Sequence, residues 1–544
     1  MSRHFVHRLA VLVCGVTAAA LWIGPFLGRV DLFEDDAAQH IFWLYRFADP
    51  ALFSDDLTAR FFSLPSTAPA GYRALYALLA PRFDVLQAGE VLAAGLFLAS
   101  LGLARGNGRG GGPPGRRGVG GGLSVLSDAI STLALQRSFA LPITLLMLWA
   151  MLGRRPAWVC AAWILAALMY PVIIVVLGLA AGGALLFVML RDRRWSPALN
   201  WYLPGGAVAI GIVLAGLGMP DDIGPALDGT QAMAMPEFGP KGRLQLVFGG
   251  LISDTFHNHL LGLGWSPRVF LVVAAATLLV VAVGRTRGVR VPAPAWFLLA
   301  SGLLVWWLAR QVLFDLYLPN RHSRWSFAAY AVAVIPLAGV VGWRVIEPYL
   351  GSQDAVRHRA ARWAVAAVGL LFVVARYLPA AEREWSKPVD TDMERAYAFI
   401  STLPADTLVA AQPDVANFIP LRSHRAVLAS TETSLSFMRG YYEALVPRLR
   451  ASLRATYAVR WESVEESLAP YGVDVYVSAP AAWSGADYYA PFDELTSGLR
   501  RTAGTRPFIL QVPPEERVMF RSGDVFVVRI GDERGAVAAG AQSP

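Results

Sequence analysis

"AWVCAAWILAALMYPVIIVVLGLAAGGALLFVMLRDRR" (157–194) holds no charged residue until Arg191. A membrane-crossing helix needs about 20 apolar residues, because the hydrocarbon layer is about 30 Å thick and a helix rises about 1.5 Å per residue. This run is too long for one crossing. Tyr170-Pro171 lies inside it, and a proline turns the residue before it away from helical geometry. The run therefore reads as two helices, and the basic "RDRR" (191–194) assigns its far end to the cytoplasmic side.

The rest of the chain follows the same pattern. Of its 544 residues 55% are hydrophobic and only 16% charged, against about 25% charged in soluble domains. Further spans are expected near 9–29, 84–104, 123–135, 138–152, 199–218, 268–284, 292–310, 326–342 and 363–378. Together these make a polytopic α-helical membrane protein of about eleven transmembrane helices. The first could be a cleaved signal peptide, with Arg3, Arg8 and "TAAA" (17–20). Its apolar run continues through "LWIGPFLG" (21–28) to spanning length, so an uncleaved helix is expected. The basic connections "RGNGRGGGPPGRRG" (105–118), "RTRGVR" (285–290) and "RVIEPYLGSQDAVRHRAAR" (344–362) mark the cytoplasmic side, with the amino terminus. The acidic segment 31–66, the loop 219–264 and "FDLYLPNRHSRW" (314–325) then share the outer side.

The net charge of +8 comes from arginines at the ends of apolar runs, not from a basic face with base-stacking aromatics, so no nucleic-acid partner is expected. Cys14 and Cys160 both fall in apolar runs, which excludes a disulfide framework and a cysteine metal site. Abundant Ala, Gly and Arg suggest a bacterial source. From about 379 the composition changes. "DTLVAA" (406–411), "RAVLAS" (425–430), "VDVYVSA" (473–479) and "DVFVVRI" (524–530) read as strands, and 434–458 and part of 461–470 as helices. The expected organisation is a transmembrane domain 1–378, with an outer amphipathic loop 30–68, a cytoplasmic Gly/Arg-rich loop 105–122 and an outer loop 219–264. A small extracytoplasmic α/β domain (379–532) and a disordered tail (533–544) follow.

Carboxylates crowd where the first span should leave the membrane: Asp31, Glu34, Asp35 and Asp36 in "DLFEDDAAQH" (31–40). Residues 35–47 fit an amphipathic surface helix ended by Asp49-Pro50. At 100° per residue, Asp35, Asp36, Gln39, His40, Trp43, Arg46 and Phe47 share an arc of about 140°. That arc would face a cavity, with Ala37, Ala38, Ile41, Leu44 and Tyr45 towards lipid or other helices. The plainer reading is that Asp35 and Asp36 are first-turn acids favoured by the helix dipole.

A first span followed by an acidic pair at the start of an outer amphipathic helix resembles the layout of the GT-C glycosyltransferases, which include protein O-mannosyltransferases and lipid A aminoarabinose transferases. The resemblance covers the topology throughout, and a motif only across Asp35-Asp36-Ala37-Ala38-Gln39-His40. It implies an inverting transferase of the bacterial inner membrane that moves a sugar from a polyprenyl-phosphate-linked donor to a lipid, glycan or protein acceptor of the cell envelope. It gives Asp35 the role of general base. Asp36 matches the second acid, shortened here from Glu to Asp.

The leaving phosphate of such a donor needs cations at the outer boundary. Arg321, His322 and Arg324 are candidates, since arginine offers a fork of donors suited to phosphate oxygens. They equally fit a loop binding lipid headgroups, with Trp325 as an interfacial anchor. Arg137 is a further candidate, or else a partner for Asp128. Lys241 and Arg243 are weaker ones. His257 and His259 read as ordinary loop histidines, Asp221, Asp222 and Asp254 could form a second acidic site, and metal dependence is left open. "FSDDLTARFF" (53–62) reads as a helix capped by Ser54 with Asp55 and Asp56 in its first turn, or as an acceptor site. Two other function classes compete: a transporter or flippase, for which Glu90 and Asp128 would matter, and a non-catalytic envelope scaffold. No internal repeat of the kind common in transporters is visible.

Overall fold

Tyr170 leaves the helical region where Pro171 follows it (φ −156°, ψ 80°), and helices run on either side, Pro156–Met169 and Ile174–Asp192. The break sits where the X-Pro restriction puts it. The computed structural model describes residues 36–107, 133–218, 226–244, 267–312, 314–350, 389–484 and 488–530, with isolated positions between them. Among the described residues, five helices are long and apolar enough to cross a membrane: Val85–Ala104, Pro171–Asp192, Leu199–Gly216, Ala293–Gln311 and Asn320–Tyr349. Three shorter apolar helices, Gln136–Leu152, Pro156–Met169 and Val269–Ala282, accompany them. The spans expected at 9–29, 123–135 and 363–378 lie wholly or largely outside the described residues, as do most of the loop 105–122 and the tail 533–544. Large apolar side chains such as Leu190, Leu203, Leu214, Leu271 and Leu278 are exposed on the bundle's exterior, the surface chemistry of a bundle that meets lipid instead of water.

Small residues let the helices approach. A Cβ on Gly205 would meet the Cys160 side chain, and one on Gly302 would collide with Ser326. Glycine at these points brings helix Leu199–Gly216 onto Pro156–Met169, and Ala293–Gln311 onto Asn320–Ile346. The ends expected to be cytoplasmic also meet one another: the Arg344 guanidinium donates to the Arg287 carbonyl.

The carboxyl-terminal part is a five-stranded mixed sheet with helices on both faces. The strands are β1 (Leu408–Ala411), β2 (Ala426–Val427), β3 (Val475–Ser478), β4 (Val518–Ser522) and β5 (Val525–Arg529), in the order β2-β1-β3-β5-β4. β1 is parallel to β2 and β3, while β5 is antiparallel to β3 and β4. Alternation of period two sends Val409, Ala411, Val475, Val477 and Val527 to one face, with Met393, Ala396 and Ile400 of helix Thr391–Ser401. Ala410 and Tyr476 face the other side, packed with Ala451, Ala455, Val464 and Leu468. β4 was not expected from the sequence; its half-buried, irregular run (a bulge between Val518 and Phe520) lacks clean alternation.

This unit does not stand apart. One buried cluster runs from Ile41, Phe42 and Phe61 through the transmembrane helices to Tyr441, Leu445 and Leu449. Phe61 stacks on Tyr441 with centroids 4.1 Å apart. The loop 226–244 joins in: Leu227 N–H donates to the Phe437 carbonyl (2.9 Å), and Ala490 N–H to that of Lys241 (3.0 Å).

Candidate functional site

The segment after Asp36 is less regular than its spacing suggested. It forms one α-turn, Ala37–His40, and then a 3₁₀ helix, Phe42–Phe47. A 3₁₀ helix advances about 120° per residue instead of 100°, so the expected single arc is not kept. Ala37, Ala38, Ile41, Leu44 and Tyr45 are buried, as expected for the apolar side, but against protein. Gln39 and Trp43 are buried as well. Asp35, with Asp31 and Glu34, lies outside the described residues, as do Asp128, Asp221, Asp222, Asp254, His257 and His259.

Three chain segments meet at this turn. Arg137, at the start of Gln136–Leu152, makes an ion pair with Asp36, and both side chains are largely buried (21% and 27% exposed). Arg321, at the start of Asn320–Ile346, lies close enough to His40 for its charge to act on the imidazole. Burial first, and this neighbouring cation second, lower the His40 pKa to about 4. The His40 ring also meets the edge of Phe62, with centroids 5.8 Å apart. Arg321, Arg137 and Arg324 all exert their charge on the buried Tyr170 hydroxyl, beside Tyr317. Among the described residues, Arg321 has no carboxylate partner. The site is thus an acid-bearing turn facing a group of guanidiniums at one end of the helix bundle. His40 is neutral at physiological pH, so the arginines supply the positive charge.

Other expected site residues are placed differently. His322 is buried, and its Nε2 lies 2.6 Å from the Leu316 carbonyl oxygen, so that nitrogen pins the chain before its helix, while Nδ1 is buried without a partner among the described residues. Arg324 lies over the Trp325 ring, 5.1 Å from its centroid. Trp325 is buried and sets its ring edge-on to Tyr170, so it is not an interfacial anchor. The charge of Arg46 acts on Asp56. Asp56, not Ser54, caps helix Leu57–Phe62 by accepting from Ala59 N–H (2.7 Å). Trp43 packs edge-on to Phe47, and its indole N–H is buried without a hydrogen-bond acceptor among the described residues.

Several residues were not singled out from the sequence. Tyr45 donates to Asp84 Oδ2 (3.2 Å) and packs on His424 with ring centroids 4.0 Å apart. Asp84 also accepts at Oδ1 from Leu86 N–H, capping the Val85–Asn107 helix. Glu432 accepts from both Gln39 (3.0 Å) and Arg243 (2.9 Å). Tyr170 was read only as a helix break; a tyrosine at the junction of two apolar helices was the available signal for it. Among the described residues no group of three or more His, Cys, Asp or Glu side chains is placed to hold a metal ion.

No protein-family profile and no curated protein matches the chain. Among solved structures it is similar to the oligosaccharyltransferase of Archaeoglobus fulgidus, a GT-C superfamily glycosyltransferase. The form tethered to an acceptor peptide containing the NVT sequon aligns with 13% identity and a TM-score of 0.43. The enzyme AglB in complex with an inhibitory peptide and a dolichol-phosphate gives 13% and 0.45. The apo form gives 12% and 0.42. Each alignment covers 87% of this chain and 69% of the archaeal one.

Proposed function

We propose that the chain is an integral membrane glycosyltransferase. It would move a sugar from a polyprenyl-phosphate-linked donor to an extracytoplasmic acceptor. The observation that carries this reading is the meeting of Asp36 and His40 with Arg137 and Arg321, drawn from segments far apart in the chain, at one end of a helix bundle. An anionic lipid head would find cations there, beside an acidic turn.

In the reaction, an acceptor hydroxyl attacks the anomeric carbon as the bond from that carbon to the phosphate oxygen breaks. The hydroxyl proton goes to the Asp35 carboxylate, the general base. Polyprenyl phosphate leaves with the bonding electron pair, and Arg321, with Arg324 and Arg137, stabilises its charge. A single displacement inverts the anomeric configuration. Asp36 holds Arg137 and the turn, and His40 is neutral there. His322 is left out of the phosphate group, because its ring is engaged with the Leu316 carbonyl.

The test uses the full chain in lipid nanodiscs with polyprenyl monophosphate as the binding probe, and cells in which a variant replaces the native copy. Arg321→Ala should weaken binding about tenfold or more. Asp35→Asn should leave binding intact and lower transfer to the envelope acceptor about 100-fold or more. Unchanged glycosylation of every envelope product in Asp35→Asn cells would refute the reading, and lipid movement without transfer would favour a flippase.

A further inference from the structure

We infer that Glu432 is a positioning residue, fixing the acidic turn from the carboxyl-terminal unit and so making that unit part of the transfer site. The inference rests on the transferase reading above, although the tether itself can be tested without it.

A four-residue helix such as Ala37–His40 has no stability of its own, because nucleating a helix costs more than one turn returns. Contacts from elsewhere must hold it. One end is held by the Asp36–Arg137 pair. At the other, the buried Gln39 donates from Nε2 to Glu432 Oε2 (3.0 Å). The same carboxylate oxygen accepts from Arg243 Nη2 at 2.9 Å. Arg243 also donates to the Ser434 carbonyl (2.8 Å), so it is braced at two points on one loop. One carboxylate thereby joins the acidic turn, the loop 226–244 and the stretch between β2 and helix Arg439–Thr456.

That stretch is built to stay still. In "STETSLS" (430–436) the residues Ser430, Thr431, Thr433, Ser434 and Ser436 are buried. Glu432 N–H donates to Asn417 Oδ1 (2.9 Å), Ser434 Oγ to the Ser430 carbonyl (2.7 Å), and Tyr441 O–H to the Thr433 carbonyl (3.0 Å). The hydroxyls of Ser430, Thr431, Thr433 and Ser434 have partners, so the loop can offer a rigid carboxylate. Removing that carboxylate leaves the Gln39 amide and the Arg243 guanidinium underpaired, and the turn free to shift. A shift of about 1 Å at a reacting centre can lower turnover about 100-fold while substrate binding persists.

The experiment compares Glu432→Ala and Glu432→Gln in the full chain. In Glu432→Gln an amide oxygen can still accept from Gln39. Polyprenyl monophosphate binding should stay within about twofold for both variants, while kcat for transfer falls about tenfold or more in Glu432→Ala, with KM little changed and partial rescue in Glu432→Gln. Modification of His40 by diethyl pyrocarbonate, read by mass spectrometry, should speed up in Glu432→Ala and not in Glu432→Gln. Wild-type turnover or unchanged His40 modification in a folded Glu432→Ala protein would overturn the inference. If the wild type shows neither lipid binding nor transfer, the transferase reading fails instead. The tether is then decided by a thermal double-mutant cycle of Gln39→Ala and Glu432→Ala, where additive effects refute it.

Discussion

Asp56 shows how much a single carboxylate depends on where the chain buries it. Burial raises its pKa from 3.8 to about 6, against the opposing pull of the Ala59 and Thr58 backbone and of Arg448 and Arg46. The folded chain therefore favours the protonated acid. Between about pH 4 and pH 6 it keeps a proton that the unfolded chain has released, so stability falls as pH rises through that window and then levels off. The cost of ionised Asp56 at pH 7.5 is on the order of 2–3 kcal/mol. Asn caps a helix as well as Asp does, without the charge. Asp56→Asn should therefore melt higher than wild type in detergent at pH 7.5, with the difference markedly smaller at pH 4.5. An equal difference at both pH values would contradict it. The ordering of the two aspartates, 55 exposed and 56 capping, could not be read from "SDD", since either acid has a cap's chemistry. Arg137 was similarly ambiguous. Its partner stands 101 positions away, and no local spacing distinguishes Asp36 from the nearer Asp128.

At the scale of elements, apolar length and basic flanks carried most of the information. Runs at 84–104, 199–218 and 292–310 correspond to helices because hydrocarbon leaves the backbone no partner but itself. What length does not reveal is how closely two helices approach. Gly302 decides that for Ala293–Gln311 against Asn320–Ile346, the helix that carries Arg321 and Arg324. Gly302→Leu should cost about 1–3 kcal/mol through overpacking, seen as a lower melting temperature in detergent. It should also weaken polyprenyl monophosphate binding, because the arginines move with their helix. Unchanged melting would mean that the two helices do not meet at this glycine. The turn 37–47 was the element read least well. Its composition suits an α-helix, but Gln39, held by Glu432, and Tyr45, held by Asp84, fix it to two different neighbours. The chain meets both by tightening into a 3₁₀ helix.

For the whole molecule, the composition change near 379 suggested a small outer α/β domain. The sheet and its helices are there, but their packing is shared. Phe61 lies on Tyr441, Tyr45 on His424, and Leu227 pairs with Phe437. A chain truncated after residue 388 should therefore expose the Phe61–Phe62 face and aggregate or be degraded. Limited proteolysis of the full chain should not release a stable fragment 389–530. Recovery of a folded, monodisperse 1–388 protein would show that the shared core is dispensable.

The sequence by itself determined that the chain forms apolar helices, roughly where they break, which ends carry basic loops, and that strands alternate with helices after residue 400. Those features follow from backbone hydrogen bonding and side-chain periodicity, which act over a few residues. Only the tertiary structure decided that Arg137 pairs with Asp36, that Arg321 sits by His40 while His322 turns inward, and that Glu432 reaches Gln39 across 393 positions. Ion pairs and buried hydrogen bonds are chosen by proximity in space, and a sequence holds many equivalent partners until packing leaves one within reach.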